Sequence, residues 1–391
     1  MDGKNSMKAK KNFLQGALFG ALIMLCGTGV VSCGIRLSED ASSEEKLSVL
    51  KGLIDENYIG DVDEEALEEG IYKGYIQGLE DPYSVYYNEE ETKDLYETTE
   101  GEYSGIGAVL SQDLESGVIT LVQIYEGSPA AKAGLKDNDI LTKVGDIEVT
   151  GMDLSEVVTY IKGEKGTDVD LTVLRGEDAE EITVTATRDT VEAQTVKYEM
   201  LEGQTGYLSV SEFDSVTYAQ YEEALNELTA QGMTGLIVDL RNNPGGNLNT
   251  VCEMLDLVLP KGTIVYTEDK DGKRETATSD DEHQINVPMV VLVNGNSASA
   301  SEIYAGAIQD YGIGKIVGTQ TYGKGVVQQI FDLGDGTSVK LTIAEYFTPN
   351  GRSIDGEGIT PDVEVEYEAD ENNPEADNQL EKALEVMKEE Q

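Results

Sequence analysis

Three serines stand at alternate positions, Ser297, Ser299 and Ser301, in NGNSASASEIYAG, directly after the apolar run VPMVVLV. Hydroxyls crowded where a strand hands over to a helix suit nucleophilic attack on a carbonyl, provided that a base takes the proton. The single histidine, His283, lies in SDDEHQI, an acidic stretch that reads as a surface loop. Carboxylates on that side would hold an exposed imidazole protonated. The other base that works with serine is a lysine kept neutral by burial. Lys324 meets that need, because TQTYGKGVVQQI has no acid over residues 320–330 and glycine flanks the lysine on both sides. Desolvation without a carboxylate partner lowers a lysine pKa. An exposed lysine in a glycine-rich loop would show the same sequence. Gln328, four residues on, falls on the same face of a strand or a helical turn, and its amide can orient an amine without adding charge.

On a helix, residues two apart point about 200° from each other, so Ser299 faces away from Ser297 and Ser301. Ser299 also opens SASE, the capping-box pattern with Glu302 at the third helical position. That pattern fits a plain N-cap. A serine there also sits where unpaired backbone N–H groups and the positive end of the helix dipole converge, which suits an oxyanion. A second donor is expected from RNNPGGN at 241–247, where two glycines after the strand-like GLIVDL expose backbone N–H groups. An ordinary Asn/Pro/Gly turn fits the same residues.

The elements that must position these groups follow from periodicity. Residues 43–98 show apolar positions three and four apart, a helical pattern broken by DPYS at 81–84. Residues 101–188 change to short strands and turns with one helical piece, LSEVVTYIKG, and an alternating pair around 176–179 that predicts a hairpin. From Val191 strand and helix runs alternate, which predicts βα units around a sheet buried on at least one face. After Gly325 the pattern is β again. Residues 364–391 hold 11 acids and two lysines and end in the amphipathic run LEKALEVM. That run is expected to dock on the body or on a second subunit, which would make a homodimer.

A chain of 391 residues is long enough for two or three domains. Its net charge of −48 repels nucleic acid, which is excluded as a partner. Four lysines in MDGKNSMKAKKN precede residues 13–35, which carry no charge, a pattern expected of a membrane-targeting segment with an extracytoplasmic remainder. An uncleaved helical anchor, a lipoprotein with Cys33 lipidated in VVSCG, and a cleaved signal with secretion all fit. Cys26 and Cys33 lie in that segment, so Cys252 alone cannot form an internal disulfide in the remainder. One cysteine and one histidine cannot make a usual zinc site. Asp61, Asp63, Glu64 and Glu65 lack the alternation and central glycine of a calcium loop and read as a solvated helix start.

Together and in this order, LRNNPGG, NGNSASASEI and GKGVVQ closely resemble the C-terminal processing peptidases, also called tail-specific proteases. LEEGIYKGYIQGLEDPYSVYYNEEE looks like that family's N-terminal helical region. EYSGIGAVL and EGSPAAKAGLKDNDILTKVGDIEVTGM look like its PDZ domain, and GRSIDGEGITPDVEV like the strands that close its core. The first 40 or so residues and the acidic tail carry little of the pattern. The resemblance implies a multidomain fold of α+β and α/β character. Its parts would be a targeting segment at 1–40, a helical region at 41–100, a PDZ domain at 101–190, a crotonase-like ββα serine peptidase core at 191–367 and a tail at 368–391.

Carried over residue by residue, the resemblance makes Ser299 the nucleophile, Lys324 the base and Gln328 its support. The N–H groups of Gly246 and Ala300 would be the oxyanion donors, and no metal or cofactor takes part. In the PDZ part, Ser104, Gly105, Ile106 and Gly107 would form a nest for a terminal carboxylate, with Ile106 and Leu135 lining an apolar pocket. LKDNDIL departs from the pattern by placing Asn138 where glycine is usual, and asparagine tolerates the left-handed angles of that turn. The implied protein is an extracytoplasmic serine endopeptidase acting near apolar C-termini of protein substrates. Two other readings are an inactive PDZ scaffold tethering partners at the cell surface and a crotonase-type acyl-transfer enzyme. The intact set of Ser299, Lys324 and Gln328 argues against the scaffold, and the second reading leaves the PDZ region and the targeting segment without purpose.

Overall fold

The computed structural model describes residues 40–391 other than 115, 177, 281, 283, 371, 372, 374 and 375. The uncharged segment at 13–35, its two cysteines and His283 lie outside the described residues. No helix among the described residues is long and apolar enough to cross a membrane. The chain divides into two compact units, residues 1–71 and 72–391. In the first, Ser42 and Glu45 form a capping box at the start of helix Ser43–Asn57, as expected when a serine precedes a run with glutamate at its third position.

The second unit is built on a sheet whose strands lie in the order Val196–Leu201, Thr205–Val210, Gly235–Asp239, Met289–Val293, Gly314–Gly318 and Val363–Glu364. Only the first pair is antiparallel. Gly235–Asp239 and Met289–Val293 are buried at every position, because helices cover both faces. Side chains alternate across a strand. Leu236, Val238, Val291 and Val293 accordingly join the core under helices Thr217–Ala230, Leu248–Asp256 and Ala300–Tyr311. Ile237, Val290 and Leu292 face the other way, against Ala383, Val386 and Met387 of the C-terminal helix Asn378–Glu390. The end of the acidic tail is therefore part of the body. Arg241 holds its start, bonding Asp377 at 2.7 Å and Asp239 at 2.6 Å.

A second sheet carries Val85–Tyr87, Ser338–Phe347, Gly262–Asp269 and Arg274–Ser279, with Val326–Asp332 also paired to Ser338–Phe347. Val85–Tyr87 follows the DPYS break, so the end of the region expected to be helical contributes a strand to this sheet. Residues 106–186 hold a hydrophobic core of their own, in which the expected hairpin pairs Asp168–Arg175 with Glu180–Thr187. The chain enters and leaves this part through the pair Glu102–Gly105 and Asp189–Glu192.

Candidate active site

The turn after Gly235–Asp239 is organised by Asn243, which is fully buried. Its amide donates to the Val210 carbonyl at 2.9 Å, and its Oδ1 accepts from the Gly245 N–H at 2.8 Å. Its own carbonyl accepts from the Ala298 N–H at 3.1 Å and from Ser301 Oγ at 2.9 Å, so this turn is tied to the serine cluster. Gly246 has φ 142°, and a Cβ there would lie 2.5 Å from the Phe213 carbonyl oxygen. Only glycine permits so close an approach. Phe213 bonds the flanking groups, donating to the Gly245 carbonyl and accepting from the Asn247 N–H, which leaves the Gly246 N–H without an acceptor among the described residues.

The three serines differ in what their hydroxyls touch. Ser297 Oγ donates to the Leu240 carbonyl at 2.7 Å and accepts from the Asn294 N–H at 2.9 Å, while Ser301 Oγ donates to Asn243. Both residues are fully buried and hold the turns together. Ser299 is half-buried and lines a cleft of about 710 Å³. Its backbone is at φ 55°, ψ −113°, an angle that costs a non-glycine residue roughly 1–3 kcal/mol and persists only where neighbours enforce it. The Glu302 carboxylate does so, accepting from the Ser299 N–H at 2.8 Å as the SASE pattern predicts. Helix Ala300–Tyr311 begins after Ser299, so Ser297 lies outside it. The separation of the serines comes from the turn, and helical spacing is not its cause. The Ala300 N–H, like that of Gly246, has no acceptor among the described residues. Gly245 brings the two segments together, since a Cβ on it would lie 2.8 Å from Ser299 Cβ and 3.0 Å from Ala300 N.

Lys324 lines the same cleft from the loop before Val326–Asp332, so it is not on a common strand with Gln328 as the four-residue spacing implied. Its backbone N–H donates to Glu302 at 2.9 Å, and the same carboxylate accepts from Gly323 N–H at 2.7 Å and Thr321 Oγ1 at 2.6 Å. One fully buried carboxylate thus fixes both Ser299 and Lys324. The buried Tyr346 hydroxyl adds a second tie, lying against the carbonyl oxygens of Ser299 and Lys324. The Lys324 ammonium position is 4.8 Å from the centroid of the Tyr83 ring. Burial lowers the pKa of this lysine, Lys340 lowers it further, and Asp81 and Glu302 oppose the shift. Carboxylates absent from the local sequence are therefore present in space, and burial still prevails. Gln328 also lines the cleft, its amide placed 3.3 Å from Thr342 Oγ1.

Ser299, Ala300, Gly246, Lys324 and Gln328 are thus brought to one cleft. Sequence reading treated Glu302 only as a cap and overlooked Tyr346 and Tyr83. The capping pattern was the available signal for Glu302. DPYS held Tyr83 in view only as a helix break. Among the described residues no group of three or more His, Cys, Asp or Glu is placed to hold a metal ion. Cys252 is half-buried, and its thiol is pushed up to about 12 by burial, so it stays protonated at neutral pH.

In the PDZ-like domain the residues expected to form a carboxylate nest fall on a strand and the turn that follows it. Ser104 and Gly105 lie in a strand paired with Thr190 and Asp189. Ile106 and Leu135 are 2% and 4% exposed and belong to the core of this domain. Gly107 is at φ 73°, against Ser128. Asn138 takes φ 67°, the left-handed turn expected of it. Strand Ala108–Gln112, directly after Gly107, is at the edge of its sheet and pairs on one side only, with Ile119–Ile124.

The sequence model of peptidase family S41 matches residues 204–365, that of the PDZ domain residues 120–175, and that of the activating protease CtpB N-terminal domain residues 32–92. The chain is 37% identical over 326 residues to the carboxy-terminal processing protease CtpA of Bacillus subtilis, covering 83% of this chain and 69% of that protein. It is 37% identical over 321 residues to the carboxy-terminal-processing protease of Bartonella bacilliformis, covering 79% and 72% respectively. A solved structure assigned as an S41 protease of Bacteroides fragilis is similar in fold, with a TM-score of 0.51 at 16% identity, over 85% of this chain and 91% of that one.

Proposed function

This chain belongs to the C-terminal processing serine proteases of family S41, and on that premise we propose that it cleaves protein substrates near their C-termini with Ser299 as nucleophile and Lys324 as general base. Neutral Lys324 takes the Ser299 proton as Oγ bonds to the scissile carbonyl carbon. The carbonyl oxygen becomes an oxyanion received by the N–H groups of Gly246 and Ala300. Lys324 then protonates the leaving amine, and water releases the acyl group by the reverse sequence. Gln328 orients the lysine amine. The observation that carries this reading is the pair of N–H groups, without an acceptor among the described residues, on the segments that Gly245 holds against Ser299, in a cleft also lined by a half-buried lysine.

The test is a Ser299→Ala variant assayed on a peptide with an apolar C-terminus. It is expected to bind the peptide and to cleave none, and a variant that cleaves at the parental rate would overturn the assignment. The PDZ domain presents the substrate by adding its terminal residues to the open edge of Ala108–Gln112, with the carboxylate at the Ile106–Gly107 turn. Charge-assisted hydrogen bonds contribute on the order of 1.5–3 kcal/mol, so amidating the peptide terminus is expected to lower kcat/KM by roughly tenfold or more. Equal cleavage of acid and amide would remove the terminus as the recognition element. The lysine-flanked uncharged segment at 13–35 supports placing this activity outside the cytoplasm, anchored by a helix or a lipid or secreted. Protease added to intact cells is then expected to degrade the domains, and their protection would refute that location.

A further inference from the structure

Asp214 lines the cleft that holds Ser299, yet it has no task in this chemistry. Its neighbour Phe213 is the residue tied to the oxyanion turn. The Phe213 N–H donates to the Gly245 carbonyl at 3.0 Å, its carbonyl accepts from the Asn247 N–H at 2.7 Å, and Phe213 and Gly246 form a parallel bridge. Side chains alternate along extended backbone, so with the Phe213 ring in the core the acids on either side of it, Glu212 and Asp214, turn the other way. Both line the cleft, Glu212 half-buried and Asp214 only 6% exposed. The Asp214 backbone is fixed by the start of helix Thr217–Ala230: its N–H donates to Thr217 Oγ1 and its carbonyl accepts from the Thr217 N–H, each at 3.0 Å. Its carboxyl, by contrast, has no hydrogen-bond or ion-pair partner among the described residues, and neither oxygen is sealed in the interior. Gly101 closes on it, since a Cβ there would lie 2.9 Å from Asp214 Cβ and 3.2 Å from Oδ2. Burying a carboxyl without a partner costs folding free energy. Native structures pair such groups unless a ligand or a reaction uses them.

We propose that Asp214, with Glu212 beside it, forms a cation subsite of the cleft that selects substrates carrying a lysine or arginine close to the scissile bond. The inference rests on Ser299 being the nucleophile of this cleft. A basic side chain supplies both the N–H donors and the opposite charge that the Asp214 carboxyl lacks within the protein. A neutral donor would satisfy an oxygen and leave two neighbouring acids repelling each other. The other titratable side chains lining the cleft are Lys324, Lys340 and Tyr346, and none of them bonds Asp214. Helix Glu89–Glu100 contributes Thr98 and Thr99 to the same cleft, neither of them charged. Burial, and after it Glu212, push the Asp214 carboxyl up to about 7, so near neutral pH an arriving cation draws it into the ionised form.

The test sets pairs of apolar-ended peptides against each other, identical except that lysine or norleucine occupies one position, moved residue by residue along either side of the scissile bond. In the parent, one position is expected to favour lysine by roughly tenfold in kcat/KM, the scale of a charge-assisted hydrogen bond. That preference is expected to grow as pH rises through about 7 and the carboxyl ionises. In Asp214→Asn, which conserves size, the ratio is expected to fall to near one, and in Glu212→Gln to shrink by less. Fluorescence anisotropy of the same pairs bound to a Ser299→Ala background, with and without each substitution, reads the ratio in the absence of cleavage. A merely structural role for Asp214 would weaken both peptides of a pair together and leave their ratio in place. A parent with no lysine preference at any position overturns the proposal, as does a preference that Asp214→Asn and Glu212→Gln leave unmoved. Cleavage retained by Ser299→Ala would instead fail the assignment of the nucleophile, and the binding ratio would still judge the subsite.

Discussion

Lys324→Arg is expected to be inactive at every pH that the fold tolerates, with kcat down by about 10⁴-fold or more, the scale seen when one member of a nucleophile–base pair is removed. Arginine conserves charge and much of the length, so the loss isolates the one property lysine has and arginine lacks, an accessible neutral form. The sign of the pH dependence follows. Burial lowers the Lys324 pKa, and the protonated amine cannot accept a proton from Ser299. Activity in the parent should therefore fall as pH drops through the Lys324 pKa and rise to a plateau above it, with a limb below the usual lysine range. A stopped assay of peptide cleavage across pH checks both statements. An active arginine variant, or a limb that stays in place when Lys324 is replaced, would refute the dyad.

The second large effect is expected at Glu302. Its two oxygens accept from Ser299 N–H and Lys324 N–H on one side and from Gly323 N–H and Thr321 Oγ1 on the other. Removing a buried charge that satisfies several donors leaves them unmatched, at a cost of about 1–3 kcal/mol for each donor left buried without a partner. Glu302→Ala should thus lower the unfolding midpoint by several degrees and also lower kcat, since the left-handed backbone at Ser299 loses its restraint. Glu302→Gln should fail nearly as badly. Its NH₂ turns a donor toward at least one backbone N–H donor whichever way the amide is set. Thermal unfolding and kcat measured on the same preparations test this. A glutamine variant with parental stability and rate would show that the carboxylate is not what joins the two segments.

How far the sequence reached varies with the kind of information. Periodicity placed the βα alternation and the hairpin around 176–179, because each depends on residues near one another in the chain. It placed the docking run LEKALEVM only up to a choice of partner: the structure lays it on the sheet face bearing Ile237, Val290 and Leu292. That Ile106 and Leu135 pack into a core was not legible, because apolar residues beside a turn look alike whether they line a groove or fill an interior.

For the site, residue type and spacing alone indicated that a serine at a strand-to-helix junction lacked a suitable histidine, that Lys324 was the alternative, and that the glycine turn at 245–246 offers a backbone donor; the structure leaves that task to Gly246, because the Gly245 N–H bonds Asn243 Oδ1. Chemistry limits which side chains can do these tasks, and that limit is written in composition. Which serine faces the cleft was decided by tertiary structure, through the acceptors that engage Ser297 and Ser301. So was the environment of Lys324, where Asp81 and Tyr83, Glu302, and Lys340 converge from three separate stretches of chain. A pKa depends on charges and solvent within a few ångströms, and closeness of that kind between residues 81, 302, 324 and 340 exists only once the two sheets and the serine helix have packed.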